Sequence, residues 1–163
     1  YKKSDGLTSH VPVFTLICHT QTGRPGPSVS SEKSEEGTIM EDMFETGLAQ
    51  RKATLGDAYV ERTLDAADDF TKPFQEAMTA WCWGFGWGDD AIDAKTRSMM
   101  NLAMIGALGK MHEWELHCRG AINNGVTREE IRAIIHVIGI YCGVPQALEC
   151  FRAAKNVLDE TPA

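Results

Sequence analysis

The segment from His112 to His117 (HEWELH) holds the residues best suited to acid–base chemistry. On one helix, Glu113 and His117 lie about 40° apart around the axis, so their side chains can meet. A carboxylate beside an imidazole favours the charged imidazolium and can hold one tautomer, which makes a proton donor able to work near neutral pH. Spacing alone favours a simpler interpretation, a surface pair that stabilises the helix by a few tenths of a kcal/mol.

The same segment does not form a zinc-protease motif. That motif needs histidines four residues apart, whereas His112 and His117 are five apart and point about 140° away from each other. The five cysteines are scattered, without a CxxC pair or the Cys/His spacing of a structural zinc site. We therefore expect no metal site, and the simplest interpretation of the cysteines is a reducing, cytoplasmic setting.

Arginines and a second histidine are candidates for binding a substrate. Arg97, Arg119 and Arg152 lie in helical segments among small or apolar neighbours, where a guanidinium needs a carboxylate partner from the protein or from a substrate. His136 lies inside the apolar run 133–138 and is expected to be buried. It is then either a core residue with one hydrogen bond or a supporting group of the site.

The segment from Trp81 to Trp87 (WCWGFGW) is unusually rich in aromatic residues. Its glycines are expected to break a helix, while three indoles and a phenyl ring need burial or a ligand. A core or oligomer contact is favoured over a pocket wall.

These residues lie in a sequence that is helical in pattern from Met40 onward. Apolar residues recur at spacings of three and four, and no stretch alternates like a half-buried strand. Asp93 is expected to cap a helix ending near Gly109, and Thr127 to Glu130 reads as a capping box. The prediction is an all-α domain of five or six helices, with a short one near residues 57–64.

Residues 1–39 differ from the rest, with a Gly/Pro-rich turn and a Ser/Glu stretch that lacks apolar periodicity. We interpret them as an irregular extension or leader, with Met40 as a native start and residues 40–163 as the domain. The alternative is an arm that packs on a partner subunit. The net charge of −7 disfavours nucleic acid and anionic membranes as partners, and no apolar run is long enough to span a bilayer.

The order of several short segments resembles the carboxymuconolactone decarboxylase family. The resembling segments are 51–60 (RKATLGDAYV), 68–70 (DDF), 95–98 (KTRS), 113–117 (EWELH), 119–121 (RGA), 124–127 (NGVT), 129–131 (EEI), 141–145 (YCGVP) and 151–154 (FRAA). They span the proposed domain and none of the extension.

The resemblance implies an all-α fold shared with alkylhydroperoxidase D and a ring-like homo-oligomer, often a hexamer built as a trimer of dimers. The peroxidase branch has a CxxC before its helix histidine. Here Lys110 and Glu113 stand at those positions, so the disulfide-forming cycle is excluded. The decarboxylase branch has a Glu and a His where Glu113 and His117 stand, which raises the case for a catalytic pair.

The family reaction converts 4-carboxymuconolactone to β-ketoadipate enol-lactone and CO2 in protocatechuate breakdown, without a cofactor. The resemblance implies His117 as proton donor or oxyanion stabiliser, Glu113 as its orienting partner, and Arg97 or Arg119 as a carboxylate clamp. His136 stays a candidate substrate-binding residue from its sequence position alone. Two alternatives stay open. One is a lyase or decarboxylase acting on another acid, for example a polyketide-derived one, and the other is a non-catalytic or redox protein using Cys118 or Cys142.

Overall fold

The computed structural model describes residues 32–160, and in this range the chain is helical without a β-strand. This confirms the all-α prediction. The seven α-helices are α1 (Glu32–Leu55), α2 (Asp57–Asp65), α3 (Lys72–Met78), α4 (Ala94–Ala107), α5 (Met111–Asn123), α6 (Arg128–Cys142) and α7 (Val144–Glu160). A π-helix (Thr79–Gly86) continues α3. Five of these helices are long, as expected, and α2 is the short one expected near residues 57–64.

Local sequence signals set the helix ends. The Asp93 side chain accepts a hydrogen bond from the Thr96 amide at the start of α4. At the start of α6, Thr127 and Glu130 form the reciprocal bonds of a capping box. Both caps satisfy amides that have no partner within the helix, and both were predicted. Gly143, with φ of 97°, turns the chain from α6 into α7 in a conformation that favours glycine.

Helices α4 to α7 pack around one apolar core. The buried Trp114 ring of α5 fits against α4 because Gly106 has no side chain, and a Cβ there would lie 3.2 Å from the indole nitrogen. The Trp114 Nε1–H donates to the Leu102 carbonyl at 3.1 Å, which fixes α5 against α4. The other core residues include Cys118, Ile131, Ile135, Ile138, Cys150 and Val157.

Helix α1 packs mainly against the π-helix. The two backbones approach so closely that a Cβ on Gly47 would overlap the Thr79 carbonyl, and one on Gly84 would overlap the Met43 carbonyl. The buried Arg51 of α1 donates to Thr79 Oγ1 at 3.0 Å, which ties α1 to the first residue of the π-helix. Through these contacts α1 determines where the aromatic segment lies.

Two expectations about chain organisation need correction. The glycines of the aromatic segment do not break a helix: the chain continues in π geometry, with the Trp87 amide donating to the Cys82 carbonyl five residues back at 3.0 Å. In addition, α1 begins at Glu32, so residues 32–39 are helical rather than irregular.

The rest of the expected extension, residues 1–31, lies outside the described residues, and its dispensability stays a prediction. No helix within residues 32–160 combines the length and apolar character needed to cross a bilayer.

Candidate active site

A pocket of about 500 Å³ opens between the π-helix, α4 and α5. Most of its lining is apolar, and a few polar groups converge on it, as in typical small-molecule sites. Its lining residues are Met78, Cys82, Trp83, Gly86, Trp87, Ile92, Arg97, Met100, Asn101, Met104 and His117. The sequence-predicted His117 and Arg97 therefore meet at one pocket.

His117 lies in the middle of α5 and is held from α4. Its Nδ1 lies 2.9 Å from the side-chain nitrogen of Asn101. The register that brings the two together is set one turn away, where Trp114 donates to the carbonyl of Leu102, the neighbour of Asn101. The ring position thus follows from the packing of the core rather than from a surface contact.

Trp83 of the π-helix covers the His117 ring. Their centroids lie 6.1 Å apart with planes 14° from parallel, and Trp83 is 4% exposed. Trp87 packs against Trp83 at 4.8 Å, and both line the pocket. Trp81 and Phe85 point outward and stack on each other at 4.7 Å. Half of the aromatic segment is therefore a pocket wall, which the sequence-based interpretation had ranked below a core or oligomer contact.

Burial favours the neutral form of His117. Desolvation lowers the pKa of the imidazole below its ordinary value, and the opposing effect of the Glu113 carboxylate is the smaller one. Glu113 is exposed and makes no hydrogen bond to His117. The expectation that Glu113 keeps this ring charged is therefore wrong in its net direction. The direct partner of the ring is Asn101.

Arg97 of α4 binds backbone rather than a protein carboxylate. Its guanidinium donates to the carbonyls of Gly86, Asp89 and Ile92, the last at 2.9 Å. It also lies 6.0 Å from the centroid of the Trp87 ring. These contacts fix the segment that follows the π-helix and keep a cation at the pocket wall.

Comparisons with known proteins bear on this pocket. A sequence model described as "Carboxymuconolactone decarboxylase family" matches residues 72–156, a range that includes every residue lining the pocket. The chain belongs to this family.

Two relatives match most of the chain. The nitrosuccinic acid decarboxylase npaB of Metarhizium robertsii (strain ARSEF 23 / ATCC MYA-3075) is 40% identical over 118 residues, which cover 72% of this chain and 82% of that protein. The 4-carboxymuconolactone decarboxylase of Acinetobacter baylyi (strain ATCC 33305 / BD413 / ADP1) is 32% identical over 120 residues, covering 74% and 90%.

Three other candidate residues of this decarboxylase-family chain do not line the pocket. Arg119 is exposed and pairs with Glu160 of α7 at 2.6 Å. His136 is exposed on α6 beside Phe151, with ring centroids 5.9 Å apart, so the expectation that it is buried is wrong. Arg152, which was expected to need a carboxylate, pairs with Glu149 on its own helix.

Neither the described cysteines nor the metal-binding side chains form a second site as well suited to catalysis as the pocket. Cys118 is fully buried, and burial raises the pKa of its thiol to about 12, which leaves almost no thiolate at neutral pH. Cys142 is exposed on α6. Within the described part of the chain, no three His, Cys, Asp or Glu side chains are grouped as metal ligands.

The sequence did not point to Asn101, and it favoured a core or oligomer contact for Trp83 over a place in the pocket wall. The aromatic segment was a visible signal for Trp83, although its pattern did not tell which rings turn inward. Asn101 gave no signal, because its importance depends on α4 lying against α5, sixteen residues further along the chain.

Proposed function

We propose that this chain is a decarboxylase acting, without a cofactor, on a small acid whose leaving carboxylate is conjugated to an electron-accepting group. The observation that carries the proposal is the half-buried His117 in a largely apolar pocket of about 500 Å³ in a chain of this family. Such a pocket suits decarboxylation, because removing water from a carboxylate and placing a hydrogen-bond donor near the acceptor both favour a transition state with dispersed charge.

The acids named for the two relatives lose CO2 by the same kind of chemistry. In nitrosuccinic acid, the carbon–carbon bond to the departing carboxylate breaks and its electron pair passes into the nitro group. In 4-carboxymuconolactone, the pair passes through the ring double bond to the lactone carbonyl. In each case CO2 leaves, an oxygen gains negative charge, and one proton must then form a new bond to carbon. Both substrates keep a second carboxylate.

The pocket residues match these requirements. His117 is the group that would donate a proton or a hydrogen bond to the charged oxygen, and Arg97 would attract the remaining carboxylate. Glu113 would act at longer range, by raising the pKa of His117 partway toward its ordinary value. Arg119 and His136 do not line this pocket, so we give them no role in it.

Within this proposal, two acids are candidates for the substrate. The first candidate is 4-carboxymuconolactone, giving β-ketoadipate enol-lactone in aromatic-acid breakdown. Nitrosuccinic acid is the second candidate, because the relative named for it is 40% identical to this chain, against 32% for the 4-carboxymuconolactone decarboxylase. A different activated acid, such as a polyketide-derived one, would fit the same chemistry.

The test is CO2 release by the purified full chain from each of the two acids, with and without EDTA. We expect one acid to be turned over, the rate to survive the chelator, and the product formed in heavy water to carry one deuterium at the protonated carbon. Failure to release CO2 from either acid would exclude both named substrates. Loss of activity in EDTA that a metal restores would exclude the cofactor-free reaction.

We also propose that copies of this chain associate. The second half of α6 and the start of α7 expose several large apolar side chains, and such groups of residues mark interaction surfaces. They are Val137, Ile140, Tyr141, Val144 and Leu148. A second copy of this family member is the occupant we expect. Light scattering that gives a monomer mass for the full chain, or an unchanged oligomer after Ile140→Glu, would contradict this.

A further inference from the structure

The contact between Asn101 and His117 indicates which of the two ring nitrogens of the histidine carries the proton. The Asn101 side-chain nitrogen lies 2.9 Å from Nδ1 of His117. An amide nitrogen of asparagine is only a donor, so in this orientation of the amide Nδ1 accepts the hydrogen bond and carries no proton. In a neutral imidazole the proton then resides on Nε2.

We propose that Asn101 is a positioning residue that locks His117 in the neutral Nε2–H tautomer, and that this N–H is the hydrogen-bond donor for the substrate. A second proton on the ring would set an N–H at Nδ1 against the amide N–H of Asn101, so the contact opposes the imidazolium. No hydrogen bond within residues 32–160 occupies Nε2, and the ring lines the pocket.

The surroundings of the ring favour the same state. The half-buried ring lies beneath the Trp83 indole, and desolvation lowers the pKa of His117. Three charged or titratable groups lie nearby: Glu113 on α5, Arg97 on α4 and Cys82 on the π-helix. Glu113 favours the imidazolium, but its effect is smaller than that of burial.

The Nε2–H tautomer decides between the two roles left open for His117, which were to donate a proton or to donate a hydrogen bond. A neutral imidazole is a poor proton donor, since losing its single N–H proton would leave an imidazolate. It is a good hydrogen-bond donor toward an oxygen that gains charge. His117 would therefore stabilise the nitronate or furanolate oxygen as the carbon–carbon bond breaks. The proton that later bonds to carbon would come from a water molecule.

The first test observes the tautomer directly and needs no substrate. Nitrogen-15 NMR of the full-length protein would report the protonation of both ring nitrogens, with His117→Gln identifying the signals. We expect Nε2–H in the wild type. Asn101→Asp should move the proton to Nδ1 and raise the His117 pKa by roughly 1–3 units, because a carboxylate accepts from Nδ1–H and favours the charged ring. Asn101→Ala should give a mixture of tautomers.

Asn156→Asp is the matched control, since Asn156 is exposed on α7 and contacts Glu115 rather than His117. It should leave the His117 signals unchanged. A wild-type ring with its proton on Nδ1, or a tautomer unaffected by Asn101→Ala, would overturn the proposal.

The second test is the pH profile of kcat, and this part rests on the proposed decarboxylation. With Nε2–H present in the neutral ring, wild-type kcat should show no loss between about pH 7 and 9 from titration of His117. In Asn101→Asp the neutral ring lacks that proton, so kcat should fall as the pH rises through the raised pKa, with little change in KM.

A wild-type kcat that falls on deprotonation of His117 would instead identify the imidazolium as the donor and overturn the assignment. If neither acid is turned over, both named substrates are excluded, while the NMR result still decides the tautomer.

Discussion

The indole of Trp83 lies over the imidazole of His117, with ring centroids 6.1 Å apart and planes 14° from parallel. The two residues come from elements that are separate in sequence, the π-helix and α5. Their stacking closes one side of the pocket and removes water from the ring that the proposed chemistry needs. The pocket therefore depends on the position of the aromatic segment.

We predict that Trp83→Ala lowers the free energy of unfolding by about 3–5 kcal/mol, as expected when a buried tryptophan is truncated. The variant should also raise the His117 pKa toward its ordinary value, because water would reach the ring. Trp81→Ala is the control: Trp81 is 62% exposed, and its loss should cost about 1 kcal/mol or less. Urea unfolding and NMR titration measure the two effects. Equal losses of stability in the two variants would contradict this packing.

The crossing of α1 and the π-helix should not tolerate a methyl group. Gly84→Ala would force a Cβ against the Met43 carbonyl, so we expect a loss of roughly 3 kcal/mol in unfolding free energy. Gly37→Ala on the same α1 meets no atom within 4 Å and should be neutral or stabilising by up to about 1 kcal/mol. Urea denaturation of both variants tests this, and a Gly84→Ala protein as stable as wild type would show that the helices do not cross at these glycines.

Much of this fold could be predicted from the sequence, because helix caps are local. Asp93, Thr127 and Glu130 act on amides within three residues, so their pattern alone located two helix starts. The π-helix could not be predicted in this way. Its glycines weaken a helix considered by itself, and the close contact with α1 that favours Gly84 involves Met43, some forty positions earlier.

The site was only partly predictable for a related reason. His117 and Arg97 were found by residue type, whereas their shared pocket depends on how α4, α5 and the π-helix pack. His136 was misassigned because α6 is apolar on two faces. One face, with Ile131, Ile135 and Ile138, forms the core, and the other exposes Val137 and Ile140. A sequence pattern cannot tell which of two apolar faces lies inward.

Acid should destabilise the protein through His117. Its folded pKa lies below the ordinary value of 6.5, so the unfolded chain binds the proton more readily than the folded one. The stabilisation is complete above about pH 6.5 and is lost as the pH falls through the folded pKa. Urea unfolding of wild type and His117→Gln at a series of pH values should show a steeper loss in the wild type. Parallel pH dependences would exclude this contribution.

Thiol reactivity should separate the described cysteines into two classes. Iodoacetamide at about pH 8 should modify the exposed Cys82 and Cys142, because thiolates in water react readily. Cys118 and Cys150, whose pKa values are raised by burial, should react only after unfolding. Peptide mass spectrometry before and after urea would measure this. Modification of native Cys118 as fast as Cys142 would reopen a redox role for it.

The most direct test of the central claim is the rate of CO2 release by two histidine variants on one helix. Using whichever of the two acids the wild type decarboxylates, His117→Ala should lower kcat by roughly 100-fold or more, since it removes the donor to the developing charge. His112→Ala, at the exposed start of α5, should keep kcat near the wild-type value. If His117→Ala released CO2 as fast as His112→Ala and wild type, the reaction would not take place at this pocket.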